Sequence, residues 1–451
     1  MEKKVINVPD FRDETEALVK RYKAKGTRIS VNFRSIVKNF SHVDRYTHSI
    51  HPYPAKLITH IPYFFINNSY FLKDGDVVLD PFCGSGTVLL ESILANKRAY
   101  GADANPLARL ISEVKTEYID PVIIRKNLKK ILGKSRKVNN AKIPEIRNST
   151  LWYTKKVLVE LSILKSVIDR LTDDTIRKFF MLNLSNISRK LSLADPRISV
   201  PVRLNSDRFS KGSKYYDKIE SKVAELEKVD VFTKFEICVK ENLLRISRLH
   251  GIKNTAKIIA TDARNLTKSL NSKLKLKSNS VSLIVTSPPY AGAQKYIRAS
   301  SLNLGWLGMG SSEELRVLNK QNIGREDISD SECQMFYTGI KSADKIISIL
   351  LKRGKKDRAK VVASYLNEMK KALDESIRVL KLGGHLVLVI GNNTVDGIKF
   401  KTHEYLSKYL LENGLSLELK LIDNIKSYGL MTKRNKTADI ISLEWILVFK
   451  K

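Results

Sequence analysis

The sequence predicts an α/β protein built on a doubly wound, mainly parallel sheet. Residues 77–79 form a short apolar run that leads into a glycine-rich turn and then into residues 88–95, which have helical spacing. A strand, a glycine-rich turn and a helix in this order open such a sheet. Two further runs that read as strands also end in an acid, Asp103 or Asp262. We therefore expect the ligands to bind at the carboxyl ends of the parallel strands.

The turn after the first predicted strand has the composition of a ligand-binding turn. Residues 80–87 read Asp-Pro-Phe-Cys-Gly-Ser-Gly-Thr. Gly84 and Gly86 allow a ligand to approach the backbone, and the N-terminus of the next helix adds N–H donors. Asp103 follows Asp80 by 23 residues, which is about where folds of this kind place the acid that accepts ribose hydroxyls. The alternative role for Asp103 is a helix N-cap.

The sequence around these strands favours an adenosine-bearing ligand without phosphates. Residues 257–261 read as a third strand that ends at Asp262, an acid able to accept a hydrogen bond from an adenine amino group. The chain has no Gly-x-x-x-x-Gly-Lys-Ser/Thr loop, and the turn after the first strand is not Gly-x-Gly-x-x-Gly. A nucleoside triphosphate or a pyrophosphate dinucleotide therefore fits poorly.

A second candidate pocket follows the apolar run at residues 281–285. That run leads through Thr286 into Ser287-Pro288-Pro289-Tyr290. The two prolines fix φ and remove two backbone donors, so the carbonyls near Ser287 and Pro288 are free to accept hydrogen bonds from a ligand. Tyr290 offers a flat face for stacking. This segment predicts a pocket for a planar ligand that carries an N–H donor.

Composition indicates a polyanionic partner and a reducing compartment. The chain has 80 Lys+Arg against 47 Asp+Glu, a net charge of +33, which favours nucleic acid through phosphate neutralisation. A solvated basic surface is the alternative. Cys83, Cys238 and Cys333 have neither disulfide-like nor metal-like spacing, and no metal site is expected. Since the sequence shows no signal peptide and no long apolar run, we expect a cytoplasmic protein without a membrane segment.

Three segments together resemble the S-adenosylmethionine-dependent amino-methyltransferases of DNA. They are His-Pro-Tyr-Pro-Ala-Lys-Leu at residues 51–57, the turn at residues 80–87, and Thr-Ser-Pro-Pro-Tyr at residues 286–290. The resemblance implies a Rossmann-like class I methyltransferase sheet that closes with an antiparallel C-terminal strand pair. Residues 415–422 and 440–449 are the candidates for that pair. It also implies S-adenosylmethionine as cofactor and double-stranded DNA as partner.

The resemblance assigns a role to each segment. The first closes over the methionine part of the cofactor, the second is the cofactor-binding turn, and the third is catalytic: Ser287, Pro288, Pro289 and Tyr290. The implied cofactor-binding residues are His51, Pro52, Tyr53, Pro54, Ala55, Lys56, Asp80, Phe82, Cys83, Gly84, Ser85, Gly86, Thr87, Asp103, Ala104, Asp262 and Ala263. For His51 a structural role is an equal alternative.

The chemistry of the third segment suits methylation of an exocyclic amino group. Such a nitrogen is a poor nucleophile, and hydrogen bonds from its protons to the Ser287 hydroxyl and the Pro288 carbonyl would aim its lone pair at the methyl donor. The base must leave the duplex, and Tyr290 would stack on it. Methylation at ring carbon 5 of cytosine would need an activated thiolate, for which none of the three cysteines has the expected setting.

The motif favours cytosine over adenine. By resemblance, Ser-Pro-Pro-Tyr is commonest in cytosine-N4 enzymes, and adenine-N6 methylation is the alternative. A guanine-N2 methyltransferase of transfer RNA and a non-catalytic nucleic-acid-binding subunit are further alternatives. The expected setting is a restriction–modification or related defence system, with a restriction endonuclease as a candidate partner. The sequence does not indicate the oligomeric state.

Target recognition is expected to come from insertions. We divide the chain into residues 1–119 (N-terminal arm and cofactor motifs), 120–255 (a largely helical inserted domain) and 256–451 (the catalytic half, with a basic insertion at about 291–360). Residues 121–250 carry 29 Lys+Arg and 14 Asp+Glu. Candidate DNA contacts in a basic loop that extends to residue 216, for which a solvated loop is the alternative, are Arg197, Arg203, Arg208, Lys211 and Lys214. Gln294, Tyr296 and Arg298 follow Tyr290 closely enough to line the base pocket or its rim as further candidate contacts, and core packing is an equal alternative for Tyr296. Residues 352–358 form a charge run of the kind that is usually solvated.

Overall fold

The computed structural model describes residues 9–38, 45–54, 56–267, 270, 275–292, 295–333, 335–424 and 443–451. In this part of the chain ten strands are present, and eight of them form one sheet. The strands are β1 Ile29–Ser30, β2 Val77–Asp80, β3 Arg98–Ala102, β4 Ala256–Ala260, β5 Val281–Thr286, β6 Leu380–Ile390, β7 Asn393–Val395, β8 Ile398–Phe400, β9 Ser416–Asn424 and β10 Leu443–Lys450.

The helices cover both faces of this sheet and form the insertions. They are α1 Arg12–Lys25, α2 Phe33–Ile36, α3 His60–Ile66, α4 Thr87–Leu94, α5 Pro106–Thr116, α6 Pro121–Ser135, α7 Ser149–Trp152, α8 Lys155–Ile168, α9 Asp174–Lys190, α10 Lys214–Lys228, α11 Val231–Ser247, α12 Tyr296–Trp306, α13 Ser312–Gln321, α14 Lys341–Lys352, α15 Lys356–Val379 and α16 Thr402–Glu412. A short 3-10 turn spans Ser206–Arg208.

The strand order is that of a doubly wound sheet, as predicted. Across the eight-stranded sheet it runs β1-β9-β10-β6-β5-β2-β3-β4. β2 lies in the middle and pairs in parallel with β3 on one side and β5 on the other, so the chain reverses its direction of winding between them. β10 is antiparallel to both β6 and β9. The predicted fold class, with its antiparallel C-terminal strand pair, is confirmed.

The central strands are apolar along their whole length because both faces of the sheet are covered. Val78 and Leu283 belong to the core cluster that includes residues of α1, α2 and α3. Their neighbours Leu79 and Ile284 belong to the cluster on the opposite face, which includes residues of α14, α15 and α16. Alternate residues of a strand therefore point to different helical layers, which is typical of strands in a parallel sheet.

The helices from α6 to α11 form an apolar core together with α5 and α12. Phe180 and Phe235, on α9 and α11, are fully buried in this core. Trp306 at the end of α12 is also fully buried, and its Nε1 donates to the Tyr153 hydroxyl at 2.9 Å. The largely helical character of the insertion is as predicted. The domain boundaries near residues 120 and 255 stay a prediction.

Two helices begin inside segments that the sequence marks as a charge run and a basic loop. Helix α15 begins at Lys356, inside the charge run at residues 352–358. The charged side chains lie in its exposed first turn, while Val362, Leu366 and Met369 follow at helical spacing and are buried. Lys214 is the first residue of α10 and not part of a loop, because Ser213 caps the helix by accepting from the Tyr216 N–H.

No helix in the described part of the chain combines the length and apolar character needed to cross a bilayer.

Candidate active site

One cleft at the carboxyl edge of the sheet brings the predicted motifs together. β2, β3, β4 and β5 are mutually parallel in their pairings, so their carboxyl ends lie at the same edge. The predicted residues that line the cleft are Tyr53, Phe82, Gly84, Asp103, Ala104, Asp262, Ala263, Ser287, Pro289 and Tyr296. Pro81, Gln321, Asn322 and Ile323, which the sequence analysis does not single out, complete its wall.

A hydrogen bond joins the glycine-rich turn after β2 to the end of β5. The Thr286 hydroxyl at the end of β5 donates to Asp80 Oδ1 at 2.7 Å, and the Phe82 N–H donates to the same oxygen at 3.1 Å. Burial raises the pKa of Asp80 to about 7, and the nearby Asp103 carboxylate acts in the same direction, while the bond from Thr286 opposes the rise. Asp80 is buried, and it therefore links the glycine-rich turn to the Thr-Ser-Pro-Pro-Tyr segment without lining the cleft.

Asp103 shapes the turn and still has acceptor capacity. Its Oδ2 accepts from the Gly84 N–H at 2.9 Å and its Oδ1 from the Asn105 N–H at 2.8 Å. A carboxylate has about four lone-pair sites, so further donors such as ribose hydroxyls can bind. Burial raises the pKa of Asp103. The alternative role as a helix N-cap is wrong, because Asn105 caps α5 by accepting from the Leu107 N–H.

The two glycines of the turn have different roles. Both have positive φ, +49° at Gly84 and +72° at Gly86. A Cβ on Gly86 would lie 2.8 Å from Ser112 Oγ and 3.0 Å from its Cα, so Gly86 lets the turn pack directly on α5. A Cβ on Gly84 would lie 3.6 Å from the Tyr53 ring, and both residues line the cleft. Between them, the buried Ser85 hydroxyl finds no partner within the described ranges.

The remaining predicted residues of the turn lie beneath the cleft. Cys83 and Thr87 are buried, and Thr87 begins α4. Burial raises the pKa of the Cys83 thiol well above its ordinary value. Its sulfur lies 3.8 Å from Ser112 Oγ. These side chains support the turn and do not line the cleft.

The first motif is fastened to the helical insertion through His51. Its Nδ1 lies 2.6 Å from the Pro52 carbonyl and its Nε2 lies 3.2 Å from Ser185 Oγ on α9, which also accepts from Asn303 of α12 at 3.1 Å. Burial lowers the pKa of His51 to about 3, so the ring is neutral. A neutral imidazole with one donor and one acceptor satisfies both contacts. The structural alternative for His51 fits this arrangement.

The rest of the first motif divides between two clefts. Tyr53 lines the candidate active site, and its hydroxyl accepts from Asn105 Nδ2 at 3.2 Å. Pro52 and Pro54 line a neighbouring cleft against the insertion. Lys56 Nζ donates to the His51 carbonyl at 3.0 Å, which closes the segment on itself. Ala55 lies outside the described residues.

The catalytic motif presents its first and third residues to the cleft. Ser287 and Pro289 line the cleft, whereas Pro288 is buried. Tyr290 is half-buried and packs against the core cluster of α14 to α16. Burial raises the pKa of Tyr290, and the nearby Glu444 adds to the rise. Tyr296, which the sequence predicts for the base pocket or its rim, lines the cleft together with Ser287.

Asp262 lies at the cleft with an ionic partner of its own. Arg264 Nε donates to Asp262 Oδ1 at 2.9 Å and its Nη2 donates to Oδ2 at 2.8 Å. Arg264 also lies 3.3 Å from a carboxylate oxygen of Glu368. The Arg264 backbone N–H also donates to Oδ1 at 2.9 Å and Nε also reaches Oδ2 at 3.1 Å, so Arg264 engages both oxygens of Asp262. The signal in the sequence is an arginine two residues after the acid.

The predicted DNA contacts do not gather at one place. Arg197 is held by Asp195, with Nη2 to Oδ2 at 2.6 Å, and its guanidinium lies 5.8 Å from the centre of the Tyr215 ring. Four further residues are exposed along the same segment: Arg203, Arg208, Lys211 and Lys214. Arg298 is exposed on the first turn of α12. Gln294 lies outside the described residues.

The chain is similar to known DNA methyltransferases. A family model described as a DNA methylase of the N6/N4 type matches residues 5–113. The type II methyltransferase M.MvaI of Kocuria varians is 24% identical over 383 residues, which cover 80% of each chain. The type II methyltransferase M.AvaI of Nostoc sp. is 24% identical over 383 residues, 78% of this chain and 76% of the relative. The type II methyltransferase M.MjaII of Methanocaldococcus jannaschii is 34% identical over 92 residues, 20% of this chain and 17% of the relative.

These similarities extend over motifs that the fold brings to one edge of the sheet. The matched N-terminal region contains the first motif and the glycine-rich turn. The longer alignments cover about four fifths of the chain. Together, the family-model match and the type II methyltransferase relatives support a place for this chain among the N4/N6 amino-methyltransferases of DNA.

Proposed function

We propose that this protein transfers a methyl group from S-adenosylmethionine to the exocyclic amino group of a base flipped out of double-stranded DNA. Cytosine N4 is the preferred target and adenine N6 the alternative. The observation that carries the proposal is the cleft in which Gly84 and Asp103 of the cofactor motifs lie together with Ser287 of the catalytic motif.

The side chains of the cleft fit an adenosyl group without phosphates. The Gly84 N–H already donates to Asp103, so it is not free to bind a phosphate oxygen. Phe82, Pro289 and Ile323 provide apolar and aromatic walls for a flat purine. Asp103 would accept the ribose hydroxyls, and Asp262 an amino group. When bound, S-adenosylmethionine supplies an electrophilic methyl group on a sulfonium.

The chain's own residues would orient the amino group. The Ser287 hydroxyl oxygen and the Pro288 carbonyl would each accept a hydrogen bond from one N–H of the amino group and so direct its lone pair toward the cleft. Thr286, held by Asp80, fixes the strand end that carries both acceptors. Positioning of this kind, rather than a covalent intermediate, would supply most of the acceleration. Tyr296, which lines the cleft together with Ser287, would supply an aromatic surface for stacking, because the ring of Tyr290 packs against the sheet-face core.

The raised pKa values of two thiols favour methylation of an amino group over methylation at ring carbon 5 of cytosine. Burial raises the pKa of Cys83 well above its ordinary value and that of Cys238 to about 11. Neither would be a thiolate near neutral pH. The preference for cytosine N4 depends on Ser287 at the variable place of the motif, by resemblance. The relatives are named type II methyltransferases, which supports site-specific methylation in a restriction–modification or related system.

The test is transfer of labelled methyl groups to duplex DNA, followed by digestion and chromatography of the nucleosides. We expect N4-methylcytosine; label only in N6-methyladenine would shift the target to adenine. Label in transfer RNA but not DNA would indicate the RNA alternative, and no transfer would favour a binding subunit.

Variants of two serines test the role of the motif. Ser287→Ala should lower the transfer rate by about 10- to 100-fold, because one oriented acceptor is lost, with cofactor affinity within about twofold. Ser348→Ala is a matched control, because the Ser348 hydroxyl donates to the Asp344 carbonyl within α14. Equal rates for the two variants would refute the role of Ser287.

A further inference from the structure

Beside the candidate active site lies a second cleft with several arginines on its walls. Arg147 comes from the helical insertion, Arg298 from α12 and Arg316 from α13. All three are exposed. The chain places them at three distant sequence positions and the fold brings them to one cleft. A cleft lined by charges of one sign raises the local concentration of ions of the opposite sign.

These three arginines lack the acidic partners that neutralise other cations nearby. In the same cleft, Lys295 is paired with Glu326 at 3.1 Å, and Arg325 is paired with Glu332 at 3.2 Å. In the described part of the chain, no carboxylate lies within ion-pair distance of Arg147, Arg298 or Arg316. Their positive charge is therefore available to a ligand.

The cationic cleft adjoins the candidate active site along two helices. Tyr296 at the start of α12 lines the active-site cleft, and Arg298, two residues later, lines the cationic cleft. On α13, Gln321 lines the first cleft and Asn319 the second. A strand bound in the cationic cleft would thus pass close to Ser287.

We infer that Arg147, Arg298 and Arg316 bind the phosphate backbone of the duplex DNA that enters the active site. This inference rests on the proposed function and names the surface that holds its substrate. The occupant is a polyanion because the chain has a net charge of +33 and the cleft, which adjoins the candidate active site, carries three arginines without an ion-pair partner in the described residues. Backbone contacts of this kind are independent of base sequence and depend steeply on salt.

The test measures binding of a fluorescent DNA duplex between 50 and 200 mM salt by anisotropy. The triple variant Arg147→Gln/Arg298→Gln/Arg316→Gln should bind about tenfold or more weakly at the low-salt end. The slope of log affinity against log salt should fall by about 2.7, since each phosphate contact contributes about 0.9. The corresponding triple lysine variant should keep most of the affinity, because a phosphate contact needs charge more than geometry.

The matched control removes three other arginines, Arg21, Arg125 and Arg170, by the same change to Gln. They are also exposed, and they line none of the three clefts described above. A loss of affinity and slope equal to that of the first triple would overturn the assignment, because general charge would then explain both. Tighter binding of an RNA duplex through the same arginines would overturn the choice of DNA.

Methylation of DNA by the unaltered chain is measured in parallel to separate the two proposals. If the chain methylates DNA and the cleft variant behaves like the control, the cleft assignment alone fails. If the chain binds DNA through these arginines and transfers no methyl group, the proposed function fails and the cleft assignment stands. Cofactor affinity, measured by calorimetry, should be unchanged in both triples and shows that they are folded.

Discussion

The bond between Thr286 and Asp80 offers a test of how the two motifs are coupled. Thr286→Val keeps the β-branched shape of the side chain in β5 and removes the donor to Asp80 Oδ1, now at 2.7 Å. Asp80 has a pKa of about 7 in the folded protein. The native carboxyl is therefore mainly protonated at pH 5 and ionised at pH 9, and the hydrogen bond changes character between the two.

The magnitude follows from the strength of each kind of hydrogen bond. A bond between neutral groups contributes about 1 kcal/mol, and one to a charged group about 1.5–3 kcal/mol. Thr286→Val should therefore reduce the free energy of unfolding by about 1 kcal/mol at pH 5 and by about 2 kcal/mol at pH 9. The bond lowers the pKa of Asp80, so its loss should raise that pKa by a little under one unit, about 1 kcal/mol of pH-dependent stability.

Asp80 also determines whether the stability of the unaltered protein rises or falls with pH. Its pKa is raised from an ordinary value of 3.8 to about 7, so the folded state binds the proton more tightly than the unfolded state does. Stability from this group is complete below pH 3.8 and is lost as pH rises through 7. Between pH 5 and pH 7 the loss should be about 2 kcal/mol.

The assay is urea-induced unfolding at pH 5 and pH 9, followed by tryptophan fluorescence and circular dichroism. Thr286→Ser is the control, because it keeps the hydroxyl and should show a destabilisation that does not vary with pH. A Thr286→Val effect that is equal at both pH values, or larger at pH 5, would refute the reasoning.

Three other changes test the turn, the third acid and the sheet edge. Gly86→Ala should lower the free energy of unfolding by about 2–4 kcal/mol, because Gly86 has positive φ and an added Cβ would contact Ser112. Gly133→Ala is the control: its Cβ would meet no atom within 4 Å, so it should be neutral or stabilising. Similar urea midpoints for the two variants would contradict this prediction. Arg264→Gln removes the side chain that holds Asp262 in place at the cleft. It should weaken cofactor binding, measured by calorimetry, about fivefold, because Asp262 would lose its orientation; unchanged binding would exclude an orienting role for Arg264. Burial raises the pKa of Glu444 to about 7, so this group should lower the free energy of unfolding by about 3 kcal/mol as pH rises from 4 to 8. In urea titrations Glu444→Gln should remove this share of the pH dependence and leave the share of Asp80; a pH dependence equal to that of the unaltered protein would contradict the assignment.

The sheet and its catalytic edge could be predicted because they depend on local patterns. Apolar runs such as β2 and β5 end where a polar residue begins, and parallel strands place their ends together. The convergence of Asp103 and Ser287 on one cleft follows from that rule without knowledge of any contact. The start of α15 at Lys356 was missed because a charged first helical turn resembles a solvated run.

The contacts inside the site could not be predicted from the same patterns. Thr286 and Asp80 are 206 residues apart, and only the pairing of their neighbouring strands brings them within hydrogen-bond distance. Ile323 reaches the cleft from beyond α13 with no motif to mark it. Tyr290 does not line the cleft as predicted, because its ring packs against the sheet-face core.

The sequence by itself determined the resemblance to the amino-methyltransferases of DNA, the fold class and the strand ends that carry the candidate chemistry, since each depends on residue types within about ten positions. The tertiary structure decided which charges are free. Arg197, a candidate from sequence, is neutralised by Asp195, while Arg147 and Arg316, which no motif marks, share a cleft without acidic partners in the described residues. Charge availability depends on neighbours brought together by folding, and a linear pattern does not encode those distances.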